Sequence, residues 1–254
     1  MNPFIDRELF LGTQHDLLDV ILTKVQAGEK TIYYALNADC MLMYWKDESY
    51  RTIINKLENM VYVDGMGVIF AQRLLSLPTA KERIATTDLF PSLMEKMNDH
   101  TRDMKVFFLG SKDDTAEKVL TSFSEKYANV QFVGCHHGYF ELETESQPVI
   151  AAINQTEADI LFVGLGNPVQ EKWVDIHQKE LNVSAIITCG GLFDYYSNNV
   201  KRAPLFMQER GFEWLFRLSQ EPQRLFGRYV FGNFHYVMRV LSLRMMNNSR
   251  KRID

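Results

Sequence analysis

Asp64 closes the short apolar run 61–63 and is followed by Gly65, Met66 and Gly67, so a carboxylate stands beside flexible backbone. Such a group can act as a general base when burial or a neighbouring charge raises its basicity toward neutrality. The same residue could instead cap a helix beginning near Gly67. Segment 164–170, GLGNPVQ, follows another apolar run and opens like a dinucleotide fingerprint, but Val169 stands where a third glycine is expected. Gly164 and Gly166 still allow close backbone approach. Asn167 and Pro168 suit a helix start whose free N–H groups attract phosphate, and Gln170 projects from the same turn. Cys189, Gly190 and Gly191 form a second glycine turn, with Asp194 placed to accept hydrogen bonds from ribose hydroxyls or a base N–H. Arg83, in KERIATTD, could clamp an anion, with Thr87 or Asp88 starting a helix. His136 and His137 lack a third ligand at metal-binding spacing and read as loop residues pointing apart. No Asp-x-Asp occurs, so nothing in the sequence suggests a divalent ion held between phosphates, and no cofactor is expected.

These residues need a scaffold that gathers them on one edge. Short apolar runs at 31–36, 61–63, 105–109, 130–133, 160–163 and 184–188 are each followed by a turn signal and a helical pattern. Continuous rather than alternating runs separated by helices indicate a mostly parallel sheet covered on both faces. The expected class is α/β, with a Rossmann-like layered sheet. Ligands then sit at the carboxyl ends of the strands, where Asn37, Asp64, Gly110 and Ser111, Gly164 to Gln170 and Gly190 to Asp194 all fall. After residue 203 the pattern is helical only, with Pro204 and Pro222 as helix starts. The expected division is a Rossmann-like catalytic domain at 1–203 and a helical basic appendage at 204–254.

Charge supports that cut. The chain of 254 residues carries 28 Lys and Arg against 32 Asp and Glu, a formal net charge of −4. Residues 1–200 hold 17 of the basic and 28 of the acidic residues, whereas 201–254 hold 11 and 4. In the basic segment Arg217, Arg224, Arg228, Arg239 and Arg244 alternate with aromatic residues, which suits an anionic membrane surface. Nucleic acid is not expected, because the body is acidic and no nucleic-acid motif occurs. Packing of the aromatics on the body or on a second subunit is the plainer alternative, and a homo-oligomer stays open. Three cysteines without a CxxC pair point to a reducing, cytoplasmic compartment, and neither a signal peptide nor a spanning helix is evident.

Taken in order, Asn37-Ala38, Asp64 to Val68, Glu82-Arg83-Ile84 with Asp88, Gly138-Tyr139-Phe140, GLGNPVQEKW, GGLFD, KRAP and EWLFRL with EPQR and RY make a set. That set resembles the bacterial glycosyltransferases of the WecG/TagA/CpsF type, which include the teichoic acid N-acetylmannosaminyltransferase and related capsule enzymes. The resemblance implies inverting, metal-independent transfer of a hexose from a UDP-sugar donor to a lipid-diphosphate-linked sugar acceptor. It implies Asp64 as the general base and Asn37 and Arg83 in the substrate cleft. Tyr139, Gln170 and Asp194, with Gly164, Gly166, Gly190 and Gly191, would form the nucleotide-sugar pocket. Arg217, Arg224 and Arg228 would bind the departing diphosphate. The protein would then work on the inner face of the bacterial cell membrane. Ala35 stands where some members carry Thr, and Asn198 where many carry Gly. The rivals are an NAD-type oxidoreductase, opposed by Val169, and a catalytically inert membrane-associated scaffold.

Overall fold

The computed structural model describes residues 4–99, 104–112 and 114–250, without the side chains of 209, 224, 228 and 248–250. Thr13 opens helix α1 (Gln14–Gln26) through a capping box with Asp16. The chain then runs through β1 (Thr31–Leu36), α2 (Ala38–Lys46), α3 (Glu48–Ile54), β2 (Met60–Val63), α4 (Met66–Leu74) and α5 (Thr86–Asn98). It continues with β3 (Met104–Gly110), α6 (Thr115–Lys126), β4 (Val130–His136), α7 (Ser146–Gln155), β5 (Ile160–Gly164), α8 (Val169–His177), β6 (Ala185–Thr188) and α9 (Leu192–Tyr196). Only helices follow: α10 (Leu205–Glu209), α11 (Glu213–Gln220), α12 (Pro222–Phe226), a π-helical turn Gly227–Phe231, and α13 (Gly232–Arg250).

The six strands form one sheet in the order β2-β1-β6-β5-β3-β4, and every pairing is parallel. The expected α/β sheet is therefore present, with all six carboxyl ends on one edge. Side chains alternate between two buried layers, as the two-residue strand period requires. Tyr34, Leu36, Val61, Val63, Leu161, Val163 and Ile186 face α2, α3, α4, α7 and α8. Tyr33, Tyr62, Phe108, Phe162 and Ile187 face α1, α5, α6 and α9, around a cluster of phenylalanines centred on Phe90. A one-residue slip of a central strand would swap all its side chains between two differently packed layers, which holds the strand ends at fixed heights.

Four local expectations are corrected. Helix α5 starts at Thr86 rather than at Thr87 or Asp88. Strand β4 extends beyond 133 to His136, so only His137 is a loop residue, and the two imidazoles lie 4.5 Å apart because His137 turns back beyond the strand. Asn167 precedes rather than caps α8 and turns its side-chain amide on Cys40 and Glu171. Pro168, placed by the sequence in the first helical turn, occupies the cap position itself.

The last helix is two-faced. Tyr236, Val240 and Leu243 are buried in the layer that holds α2 and α4. Tyr236 stacks on Trp45 at 5.6 Å and donates from its hydroxyl to the Gly67 carbonyl at 3.1 Å. Arg244 donates to the Leu74 carbonyl at the end of α4. The opposite face leaves Phe234, Met238 and Met245 exposed. Among the described residues no helix is long and apolar enough to cross a membrane.

Candidate active site

Asp64 leaves the end of β2 with its N–H bonded to the Leu36 carbonyl at 3.0 Å, which ties it to the end of β1. It does not cap α4; Gly65 holds that position and makes no side-chain cap. The carboxylate turns instead to the start of α5. Asp64 Oδ2 accepts from Thr86 Oγ1 at 3.0 Å and from the Thr86 N–H at 3.4 Å. Tyr62 lies 2.8 Å behind Thr86 Oγ1. Because Thr86 spends its one hydroxyl proton on Asp64, it accepts from the buried Tyr62 hydroxyl, and both rotors are fixed. Enclosure by protein pushes the Asp64 carboxyl up to about 7, against the opposing pull of Arg83 and the Thr86 hydrogen bonds. A carboxylate near 7 is matched to taking a proton at neutral pH.

Close approach of two turns sets Asn37 beside Asp64. A Cβ on Gly65 would stand 3.0 Å from Asn37 Cβ, so a side chain there would push the ends of β1 and β2 apart by a few tenths of an ångström. Asn37 Oδ1 caps α2 through the N–H groups of Asp39 and Cys40. Both Asn37 and Ala35 line the cleft.

The two glycine turns are bound together by Gln170, which is buried. Its Oε1 accepts from Gly166 N–H at 3.3 Å and Gly190 N–H at 3.0 Å; its Nε2 donates to Glu171 at 2.9 Å and Asn167 at 3.4 Å. The amide is thus fully used in holding the turns of β5 and β6 at one spacing. Ser111, in left-handed backbone at φ 59°, donates to Asp194 Oδ1 at 3.4 Å and adds the end of β3 to the same wall. Gly164, Gly166, Gly190, Gly191, Gln170 and Asp194 all line the cleft. Tyr139 lines its rim, exposed, with the Lys112 ammonium 5.5 Å from the ring centre.

The opposite wall comes from the C-terminal helices. Arg217 lies over the Tyr195 ring at 4.8 Å, donates to its hydroxyl at 2.9 Å, and approaches Gly191 so closely that a Cβ there would meet Nη2 at 2.8 Å. Its Nε makes no hydrogen bond and lies 3.8 Å from Glu221. Arg83 bonds Glu213 at 3.0 Å and Arg202 forks onto Asp88 at 2.5 and 2.7 Å; Arg202 also lies 3.9 Å from Glu213 and Arg83 4.0 Å from Asp88, so this four-residue ion network ties the start of α11 to the first turn of α5. The side chains of Arg224 and Arg228 lie outside the described residues. Asn198 adopts φ 64°, the left-handed geometry that Asn tolerates and that glycine would otherwise supply.

Together these walls enclose about 1050 Å³, at the upper end of the range for small-molecule sites and enough for more than one ligand. Asp64, Asn37, Arg83, Gln170, Asp194, Tyr139 and Arg217 all line it. Ser111, expected with Gly110 at the strand ends, lines it as well; Thr86, Tyr195 and Glu213 also line it and were not singled out by sequence. Of these three only Tyr195 had a local signal, as the neighbour of Asp194; the other two depend on where α5 and α11 meet the sheet edge. Among the described residues no group of three or more His, Cys, Asp or Glu is arranged to hold a metal ion.

Comparison with known proteins identifies the family. The model of the glycosyl transferase WecG/TagA/CpsF family matches residues 4–250. A Bacillus subtilis (strain 168) protein named N-acetylglucosaminyldiphosphoundecaprenol N-acetyl-beta-D-mannosaminyltransferase is 34% identical over 179 residues, 70% of this chain and 67% of that protein. A protein of the same name from Staphylococcus aureus (strain MW2) is 30% identical over 178 residues, with the same shares covered. Match length and identity lead to one assignment: the chain belongs to the WecG/TagA/CpsF family and is a glycosyltransferase.

Proposed function

We propose that the protein transfers an N-acetylmannosamine-type hexose from a UDP-sugar to a hydroxyl of an undecaprenyl-diphosphate-linked N-acetylglucosamine, with inversion, in the assembly of teichoic acid or a related surface polymer. The relatives' names supply the acceptor and the transferred sugar. The observation that carries the mechanism is Asp64: a carboxyl near 7, aimed by Thr86, at the floor of a cleft large enough for two substrates.

In this reading the acceptor hydroxyl oxygen attacks the anomeric carbon while Asp64 takes its proton. The bond from that carbon to the β-phosphate oxygen breaks, and UDP leaves with the electron pair. The glycines of 164–166 and 190–191 let the donor approach the backbone closely, Asp194 accepts from its nucleoside, and Asn37 and Arg83 orient the sugars. Arg217, with Arg224 and Arg228, offsets charge developing on the diphosphate. Residues 204–254 form the appendage that brings these arginines over the cleft and rests on anionic lipid at the inner membrane face.

The test is direct. Purified protein is given UDP-N-acetylmannosamine and a diphosphate-linked N-acetylglucosamine on a prenyl chain, and the product linkage is read by NMR. A single inverted disaccharide linkage is expected. Absence of transfer across a panel of UDP-sugars would reject the reading.

A further inference from the structure

The cleft continues past its polar turns. Beyond Gly67 it runs as an apolar arm between α4 and α13, walled by Leu42, Phe70, Leu74, Val237 and Leu241. Phe70 and Leu74 lie one helical turn apart and share a face of α4. Val237 and Leu241 share a face of α13 in the same way. Three of these side chains remain substantially exposed although they border a cavity: Phe70 by 50%, Val237 by 53% and Leu241 by 40%. Contiguous apolar surface left in water marks an occupant.

Continuity identifies that occupant. The arm opens from the same cavity as Asp64, and the polar end of that cavity carries Arg83 and Arg217. A molecule filling both parts has a polar, anionic head at the turns and a hydrocarbon tail along α4. Free nucleotide sugars have no such tail, and a soluble sugar would leave the arm empty. We propose that the arm between α4 and α13 binds the first isoprene units of the acceptor's prenyl chain, so that recognition extends beyond the sugar and diphosphate. This rests on the transferase reading above and adds a subsite to it. From Gly67 to Leu74 the arm spans about 10 Å at 1.5 Å per residue, room for the proximal units only. The remainder of the chain would leave past the exposed face of α13.

The test uses the full chain, without membranes or detergent. Two acceptors carry the same diphosphate-linked sugar, one on a two-isoprene chain and one on a methyl group. The wild type is expected to favour the isoprenoid acceptor at least about tenfold in kcat/KM. In Val237→Glu/Leu241→Glu that preference should collapse to within about twofold of unity. Leu241→Trp, which fills the arm without charging it, should do the same, separating occupancy from electrostatics. Equal use of both acceptors by the wild type would overturn the arm while leaving transfer intact. So would a tenfold preference that survives both variants. If light scattering instead shows the variants converting a dimer to a monomer with the preference retained, the arm is a face between copies, and the proposal fails. No transfer to either acceptor by the wild type would remove the transferase reading itself.

Discussion

Asp64 sits just past the end of β2, and Gln170 and Asp194 sit in the first turns of α8 and α9 just beyond β5 and β6, strands buried on both faces, with hydrogen bonds between these segments fixing their spacing. Arg217 and Glu213 sit on α11, none of whose residues is buried, and they reach the body through ion pairs and one tyrosine. The first wall can move only by breaking core packing. The second can re-aim at the cost of a few partly solvated contacts, each worth little on its own. Proton transfer needs the fixed geometry, whereas a charge clamp over a substrate that must enter and leave gains from being adjustable.

That contrast can be broken from either side. The largest effect is expected for Asp64→Asn, which should keep the fold and lower kcat by roughly 10²–10⁴-fold, the usual contribution of a general base. Its melting temperature should not fall at neutral pH. The folded protein holds an Asp64 proton that the unfolded chain has released between about pH 4 and 7, so the carboxyl's contribution to stability declines as pH rises through that window. Arg217→Ala comes next. Loss of one charge-assisted contact should cost about 10- to 100-fold in kcat/KM with an unchanged melting temperature, measured by steady-state kinetics and calorimetry.

Gln170→Ala should behave in the opposite manner and lower both quantities. It unties two glycine turns, empties a buried site and deprives two partly buried N–H groups of their acceptor, a loss of about 1–3 kcal/mol that thermal unfolding would register as several degrees. If Gln170→Ala spared stability, the body would not be the rigid wall described. The smallest effect is expected for Thr86→Val. Without its hydroxyl donor the Asp64 anion is less favoured, its pKa rises, and activity at pH 7 should fall only a few-fold while recovering at higher pH.

Much of this was legible in the chain. Six continuous apolar runs, each followed by a turn signal, specify a parallel sheet, and parallel sheets collect strand-end residues on one edge. Asp64, Gly164, Gly190 and Asp194 could therefore be placed together before any coordinate was known. The partner of Asp64 could not. Thr86 is 22 residues away and meets it only because α5 begins against the end of β2. Gln170 projected toward the ligand edge in sequence, yet its amide is spent on Gly166 and Gly190, a use that depends on β5 and β6 being neighbours. In sequence the basic segment suits an anionic surface, with packing of its aromatics on the body as the plainer alternative; which residues pack, Tyr236, Val240 and Leu243 against α2 and α4, depends on shape complementarity that charge patterning does not encode.

The central claim is that Asp64 is the proton acceptor, and the pH dependence of kcat/KM tests it most directly. Wild-type activity should rise with pH on a limb centred near 7, move to higher pH in Thr86→Val, and lose that limb in Asp64→Asn together with most of its magnitude. A limb near 7 that persists undiminished in Asp64→Asn would contradict the account and place the base elsewhere in the cleft.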